Sequence, residues 1–338
     1  MEHKQRENIH NPGDASLVHD GERFELPSSG RVNAVGDFWK WQTSGERQKW
    51  PAWVDNADHP APRDLIHDGG LTATWIGHAT VLVQTAGLNI LTDPFFSLRA
   101  SPFQFAGPKR VRHPGVALGD LPRLDLILLS HNHYDHMDMP ALRKLVKQHD
   151  VPILTPTGNA RIIRKWVRGA KIIERGWHDE FRLGTDAVFT PTPALHWSKH
   201  NFWDRNRALW SAFWIKAGGR NIYFAADTGF GTGAHFAQTR ERYGEPDLAL
   251  IPIGAYEPRW FMKAQHIDPD EAVKAHKLLG AKASIAIHHS TIQLTDEAMG
   301  DPPRALAAAR LAHGIAAHEF WALDVGETWV HEPLAKPA

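Results

Sequence analysis

Leu124-Asp125-Leu126-Ile127-Leu128-Leu129-Ser130-His131-Asn132-His133-Tyr134-Asp135-His136 is a short apolar run that opens into a loop crowded with ligand-type side chains. Periodicity alone does not assign a run of this length. Pro122 precedes it, however, and Asp138-Met139-Pro140 follows as the N-cap and first-turn proline of a new helix. The economical expectation is buried strand, polar loop, helix. Imidazole nitrogen and carboxylate oxygen are the donors that zinc and similar divalent ions accept at about 2.0–2.2 Å. His131, His133 and Asp135 step by two, so an extended backbone sends them broadly the same way, and His136 breaks the step. One loop can thus serve two neighbouring metals, with His131 and His133 on one, Asp135 and His136 on the other. A histidine-rich surface loop is the plain alternative. Four ligand-type residues in six positions, launched from an apolar strand, weigh against it.

The rest of the composition bounds the answer. A chain of 338 residues, 42% hydrophobic and 22% charged, has the make-up of an ordinary globular protein. Lys+Arg and Asp+Glu both number 38, so no global basic field attracts nucleic acid. The absence of cysteine removes disulfides, thiolate nucleophiles and Cys-zinc sites together. No apolar run of about 18 residues exists and the first twenty residues lack a signal peptide's apolar core, so a cytoplasmic protein, soluble or peripheral to a membrane, is expected.

Outward from the histidine loop, residues 1–65 read as an irregular N-terminal arm and residues 66–338 as one compact domain. The arm carries Phe38-Trp39-Lys40-Trp41 and Trp50-Pro51-Ala52-Trp53. This aromatic-basic segment has three uses: packing on its own domain, pairing in a homodimer, or resting at a lipid interface. Tryptophan usually buries, which favours the first for most of the 14 tryptophans. Residues 71–76, 80–85 and 88–92 form a predicted meander, the last two segments joined by a turn at Ala86-Gly87. Helices are expected over 141–149 and 159–167, with a strand over 151–154 between them. Strands, helices and hairpins in this mixture predict a layered α/β domain.

The second half repeats the opening arrangement. Residues 187–192 lead to His196, residues 221–226 to Asp227, and residues 283–287 to His288-His289, each an apolar run with a ligand-type residue beyond its C-terminal end. Sites in layered α/β folds gather where strand ends open into loops. The ligand count then closes, with His131, His133 and His196 for one metal and Asp135, His136 and His288 for a second. Asp227 has two oxygens with which to bridge them. Two-metal sites hold their ions about 3.5–4 Å apart with a position left for water.

The loop, with His196, Asp227 and His288 downstream, resembles the metallo-β-lactamase superfamily. Thr74-Trp75-Ile76-Gly77-His78-Ala79-Thr80, Leu91-Thr92-Asp93-Pro94, Gly107-Pro108-Lys109-Arg110, Gln265-His266-Ile267-Asp268-Pro269 and the segment Ile251-Pro252-Ile253-Gly254-Ala255-Tyr256-Glu257-Pro258-Arg259-Trp260-Phe261-Met262 resemble, more closely, the N-acyl-phosphatidylethanolamine-hydrolysing phospholipase D family. The resemblance runs from about residue 71 to residue 329. It implies a four-layer αββα sandwich with two Zn2+ ions, replaceable by Mn2+ or Fe2+, at one edge of two facing sheets. Trp-Gly typically follows the last histidine ligand in that family; His289-Ser290 stand here, and position favours His288 as the ligand. Relatives that handle iron for oxygen chemistry tend to carry Glu at position 133, so His133 points to a zinc hydrolase.

The implied chemistry is hydrolysis of a phospholipid or other phosphodiester by a metal-bridging hydroxide. Asp135 would orient the nucleophile as well as bind metal. His266 would protonate the leaving group or position the phosphate, against the alternative of a capping or packing residue. Lys109, Arg110 and Arg259 are candidates for an anionic head group. Tyr256 and Trp260, with Phe261 and Met262, would wall the acyl chains, unless they are ordinary core. The same site could instead open a lactone or ester carbonyl, or retain metal only to stabilise a binding protein.

Overall fold

The computed structural model describes residues 7–9, 17–26, 35–43, 47–66 and 69–331. The arm is more regular than expected. It holds β1 (Glu7–Ile9), β2 (Leu17–His19) and β3 (Phe24–Glu25) as a small antiparallel sheet, then α1 (Val35–Gln42). The remainder of the arm lies outside the described residues.

The predicted meander is β4 (Leu71–Gly77), β5 (Thr80–Thr85) and β6 (Leu88–Thr92), paired antiparallel. Ala86 and Gly87 both take positive φ, 52° and 73°, which suits the two-residue hairpin turn whose twist matches its strands. The apolar run of the histidine stretch becomes β7 (Leu126–Leu128), parallel to β6. Next come α2 (Met139–His149), β8 (Ile153–Pro156), α3 (Ala160–Trp166) and β9 (Ile172–Arg175), so that helices cross over between parallel strands. Asp138 caps α2 by accepting the amide of Ala141, and Pro140 stands in the first turn, as the sequence predicts.

The second sheet is built to the same plan. β10 (Phe181–Leu183), β11 (Ala187–Thr192), β12 (Ala212–Ala217) and β13 (Arg220–Phe224) run antiparallel. After α4 (Ala234–Tyr243) comes β14 (Leu248–Pro252), and after α5 (Arg259–Met262) and α6 (Pro269–Leu279) comes β15 (Ser284–Ile287). α7 (Asp301–His313) precedes β16 (Phe320–Trp321), and β13 to β16 are parallel neighbours. β17 (Thr328–His331) closes the first sheet antiparallel to β4.

Alternation along each strand sorts side chains into layers. In β14, Leu248 and Leu250 enter the core between the sheets, and Ala249 and Ile251 face the helices α4, α6 and α7. In β7, Leu126 and Leu128 join the same inter-sheet core while Ile127 packs with Leu142, Leu145 and Ile163 of α2 and α3. Helices, sheet, sheet, helices is therefore the order of layers, the αββα sandwich. Phe189, Phe213 and Phe224 are fully buried between the sheets; removing one such ring costs about 3–5 kcal/mol. Among the described residues no helix is long and apolar enough to cross a membrane.

Candidate metal centre

Strand direction decides where the ligand-type residues go. β4, β6 and β7 all point the same way, because β5 alone reverses between β4 and β6. Their C-terminal ends release His78, Asp93 and the histidine loop at one edge of the first sheet. In the second sheet β11, β13 and β15 share a direction, with β12 reversed between β11 and β13, and their ends release His196, Asp227 and His288. Those two edges face each other, and six strand ends converge. Backbone turns sharpen the aim: His78, Asp93, Ala226, Ala255 and His288 all have positive φ, a conformation that non-glycine residues keep only where packing enforces it. Gly254 permits the closest approach, since a Cβ there would lie 2.2 Å from the carbonyl oxygen of His288.

The donors fall into two groups, His131, His133 and His196 in one, Asp135, His136, His288 and His78 in the other, each with its ligand atoms within 4.8 Å of one another. His133 Nδ1 lies 2.9 Å from His131 Nε2 and 3.3 Å from His196 Nε2. Asp135 Oδ2 lies 3.4 Å from His136 Nε2 and 3.5 Å from His288 Nε2. Asp227 stands between the groups. Its Oδ2 is 4.0 Å from His131 Nε2, 3.7 Å from His196 Nε2 and 3.2 Å from His136 Nε2, and its Oδ1 is 3.2 Å from His288 Nε2.

Three of the outward nitrogens are already taken, while Nε2 of His133 and Nδ1 of His288 have no hydrogen-bond partner. His131 Nδ1 meets Ser130 Oγ at 2.9 Å, His136 Nδ1 meets Asp93 Oδ2 at 2.6 Å, and His196 Nδ1 meets the Gln265 carbonyl at 3.1 Å. Such partners fix ring orientation and leave the inner nitrogen's lone pair facing the centre. The inner Nε2 atoms of His136 and His288 and Oδ1 of Asp227 are buried without an aligned hydrogen bond. Buried polar atoms are rarely left so, and divalent cations between the two groups would satisfy them. The donor set fits two such ions.

The electrostatics agree. Burial alone would raise the Asp227 carboxyl, but the imidazoles of His288 and His136 overcome it and hold the group well below the usual carboxylate range. Burial likewise opposes charge on His288, yet Asp227 and Asp135 push it up to about 9. His131 goes the other way, lowered well below its ordinary value by burial and by the neighbouring His136, His133 and His196. Burial opposes charge on His136 too, but Asp227, Asp135 and Asp93 raise it well above its ordinary value.

All seven residues expected as ligands meet here, and His288 rather than His289 faces the centre. His289 stacks on Trp75, with ring centroids 4.5 Å apart. His266 stands at the mouth, its ring 5.2 Å from that of His196 and its Nδ1 4.0 Å from Asp227 Oδ2, with no hydrogen-bond partner on Nδ1. The capping in that segment belongs to Asp268, which forms a capping box with Glu271.

The other candidate residues sit in varied surroundings. Arg110 is buried and meets no open face: its Nη2 donates to the Phe95 carbonyl at 2.8 Å and its guanidinium lies over the Phe95 ring. Arg259 is turned onto Glu271, Asp268 and the carbonyl of His266, and so fixes the backbone of His266. Trp260 is half exposed, with Lys40 of α1 5.0 Å from its ring, so it lies on the outside against the arm. Tyr256 is buried, and Lys109 lies exposed on the 99–109 hairpin. The aromatic arm does pack on its own domain at Trp41, stacked on Phe261 with Nε1 donating to Asp296, and at Trp50, which donates to the carbonyl of Glu297.

Two members of the centre lie outside the expected set. His78 places Nε2 2.8 Å from Asp135 Oδ2, at the tip of the bulged β4–β5 hairpin. Asp93 accepts the amide and hydroxyl of Ser130 besides facing His136. Each follows an apolar strand, the signal that marked His196, Asp227 and His288, so the same rule applied to 71–77 and 88–92 would have found them.

Comparison with known proteins accords with this geometry. Residues 88–289 match the family described as a beta-lactamase superfamily domain. The chain is 40% identical over 340 residues to N-acyl-phosphatidylethanolamine-hydrolyzing phospholipase D 1 of Caenorhabditis elegans, covering 93% of this chain and 94% of that one. It is 33% identical over 239 residues to the mitochondrial N-acyl-phosphatidylethanolamine-hydrolyzing phospholipase D of Saccharomyces cerevisiae, 69% of this chain and 50% of that one. The fold is shared with an isothiocyanate hydrolase from Delia radicum gut bacteria (TM-score 0.62, 21% identity, 78% of this chain and 100% of that one) and with a metallo hydrolase from Ignicoccus hospitalis (TM-score 0.59, 21% identity, 78% and 99%). The class is that of metal-dependent hydrolases with the αββα fold. Within it, the chain belongs to the metallo-β-lactamase superfamily and to its N-acyl-phosphatidylethanolamine-hydrolysing phospholipase D-like branch.

Proposed function

We propose that the protein is a zinc-dependent phosphodiesterase of phospholipase D type, acting on N-acyl-phosphatidylethanolamine-like lipids. The observation that carries this reading is the position of Asp227, one carboxylate within reach of both groups of histidine nitrogens. His131, His133 and His196 would hold one ion, Asp135, His136 and His288 the other, and Asp227 would touch both. Metal ions held there would supply a hydroxide nucleophile near neutral pH and would neutralise charge on the phosphoryl oxygens. The relatives' names supply the substrate class.

The chain's own residues do the rest. Asp93, Ser130 and the Gln265 carbonyl hold three of the imidazoles in the tautomer that turns a lone pair inward. Asp135, tied to His78, orients the attacking group. His266, with a free Nδ1 at the mouth and lowered to about 4 by burial, positions the phosphoryl group or relays a proton to the leaving alkoxide as a neutral imidazole, and Arg259 fixes its backbone from behind.

The test is hydrolysis of N-acyl-phosphatidylethanolamine and of bis-p-nitrophenyl phosphate, beside a panel of lactones and thioesters, before and after chelation. Loss of phosphodiester turnover with chelator and its return with Zn2+ is expected. Turnover of carbonyl substrates alone would replace this reading with a lactonase or esterase, and metal content without turnover would leave only a stability role. His266→Gln should lower kcat while metal content stays unchanged.

A further inference from the structure

The sequence balances its charges overall, yet the rim beside the metal centre does not. Residues 97–113, the connection after β6, carry four basic side chains and no acid. Residues 197–207, which follow His196, carry three basic side chains and one acid, Asp204, and that carboxylate is buried and turned onto the amides of His200 and Asn201. Arg207 pairs with Glu22. Arg99, Lys109, Lys199 and Arg205 have no acidic partner among the described residues.

The same two loops raise large aromatic rings into water. Phe105 is 82% exposed, Phe202 88% and Trp203 82%, with Phe103 beside Phe105. Single exposed apolar residues need no explanation, but protruding pairs on adjacent loops do. Both loops are anchored on Tyr134, inside the histidine loop. Its ring lies 4.5 Å from that of His200 and its hydroxyl donates to the His200 carbonyl, while it also packs against the small cluster of Phe95, Ala100 and Ile292. Lys199 lies 5.4 Å from the Phe202 ring, and Arg205 4.4 Å from the ring of Trp197. Aromatic tips flanked by cations, with no competing acid, are the pattern that seats a protein at an anionic lipid–water interface.

We propose that the two tips, 103–105 and 202–203, dock the protein on an anionic lipid bilayer with the metal centre facing the head groups. A second copy of the chain fits this surface less well, because a symmetric pair would set cations against cations. The inference goes beyond the proposed reaction and does not depend on it. Bilayer contact was expected of the arm, whose Trp41 and Trp50 are instead taken up by the domain.

The experiment is co-sedimentation of the full chain with phosphatidylcholine vesicles, with and without phosphatidylglycerol, at low and high salt. Phe105→Ser with Trp203→Ser, and separately Lys199→Glu, should each weaken binding to the phosphatidylglycerol vesicles by about tenfold or more. Turnover of a water-soluble phosphodiester should stay unchanged, which shows that the variants are folded. Binding that ignores both phosphatidylglycerol and the substitutions overturns the proposal. So does a wild-type dimer that Trp203→Ser converts to monomer, which would make the tips a protein interface. Vesicle binding without phosphodiester turnover would sink the reaction and keep the docking; turnover without vesicle binding would do the reverse.

Discussion

At the strand ends, His136 and His288 turn their inner nitrogens to within 3.2 Å of Asp227 and find no aligned hydrogen bond. On the outer side of the second sheet, His276 meets Ser284 Oγ at 2.8 Å and stacks on Phe320, while His178 meets the Tyr243 hydroxyl at 2.8 Å. Both regions hold histidines away from water. In the outer region each ring meets one hydroxyl and stacks on one aromatic ring, Nε2 of His178 is buried without a hydrogen bond, and no carboxylate forms an ion pair with either among the described residues. At the strand ends, carboxylates and further imidazoles crowd in. The difference teaches that burial alone does not mark a ligand. Unpaired buried nitrogens that converge on a shared carboxylate do mark a candidate.

The most severe way to test that contrast is His133→Ala. It removes a donor from the neutral group and should lower hydrolysis by more than about 100-fold, beyond the range usual for outer partners, with metal content measured alongside. Asp93→Asn keeps every ligand but loses the charge that holds His136, and about 10–100-fold lower metal affinity is expected by titration with a competing chelator. His276→Ala should leave turnover intact and cost about 1–3 kcal/mol in a denaturant melt, since it strands the buried hydroxyl of Ser284. Full activity in His133→Ala, or lost metal in His276→Ala, would erase the distinction between the two regions.

The gentlest test uses pH. Burial, with Arg242 nearby, lowers His178 to about 4. Between its ordinary value of about 6.5 and 4 the unfolded chain binds a proton that the folded chain refuses, so stability falls as pH falls through that window. His178→Gln should therefore flatten the acid limb of the stability curve slightly, measured by thermal melts from pH 7 to pH 4. An unchanged slope would mean that His178 takes up its proton in the folded state as readily as in the unfolded one.

Much of the fold was legible along the chain. The hairpin at Ala86-Gly87, the cap at Asp138 and the full-length β11 over residues 187–192 are local matters of turn chemistry, capping and alternation, and the structure reproduces them. The arm was less so, because β1 to β3 are strands of two or three residues, too short for a periodic signal. The surroundings of Arg110 and Arg259 were not legible for a related reason. A guanidinium beside a proline loop looks the same in sequence whether it meets water, a phosphate or, as here, a backbone carbonyl.

By itself the sequence determined which residue types stand at the ends of which apolar runs, because side-chain identity and the two-residue period are properties of neighbours. It thereby supplied the candidate donors His131, His133, Asp135, His136, His196, Asp227 and His288. Only the tertiary structure decided that six strand ends share one edge, that His288 turns inward while His289 stacks on Trp75, and that His78 and Asp93 complete the centre. Those outcomes rest on strand direction across two sheets and on backbone turns such as the 61° φ at His288. Contacts between residues far apart in sequence set both.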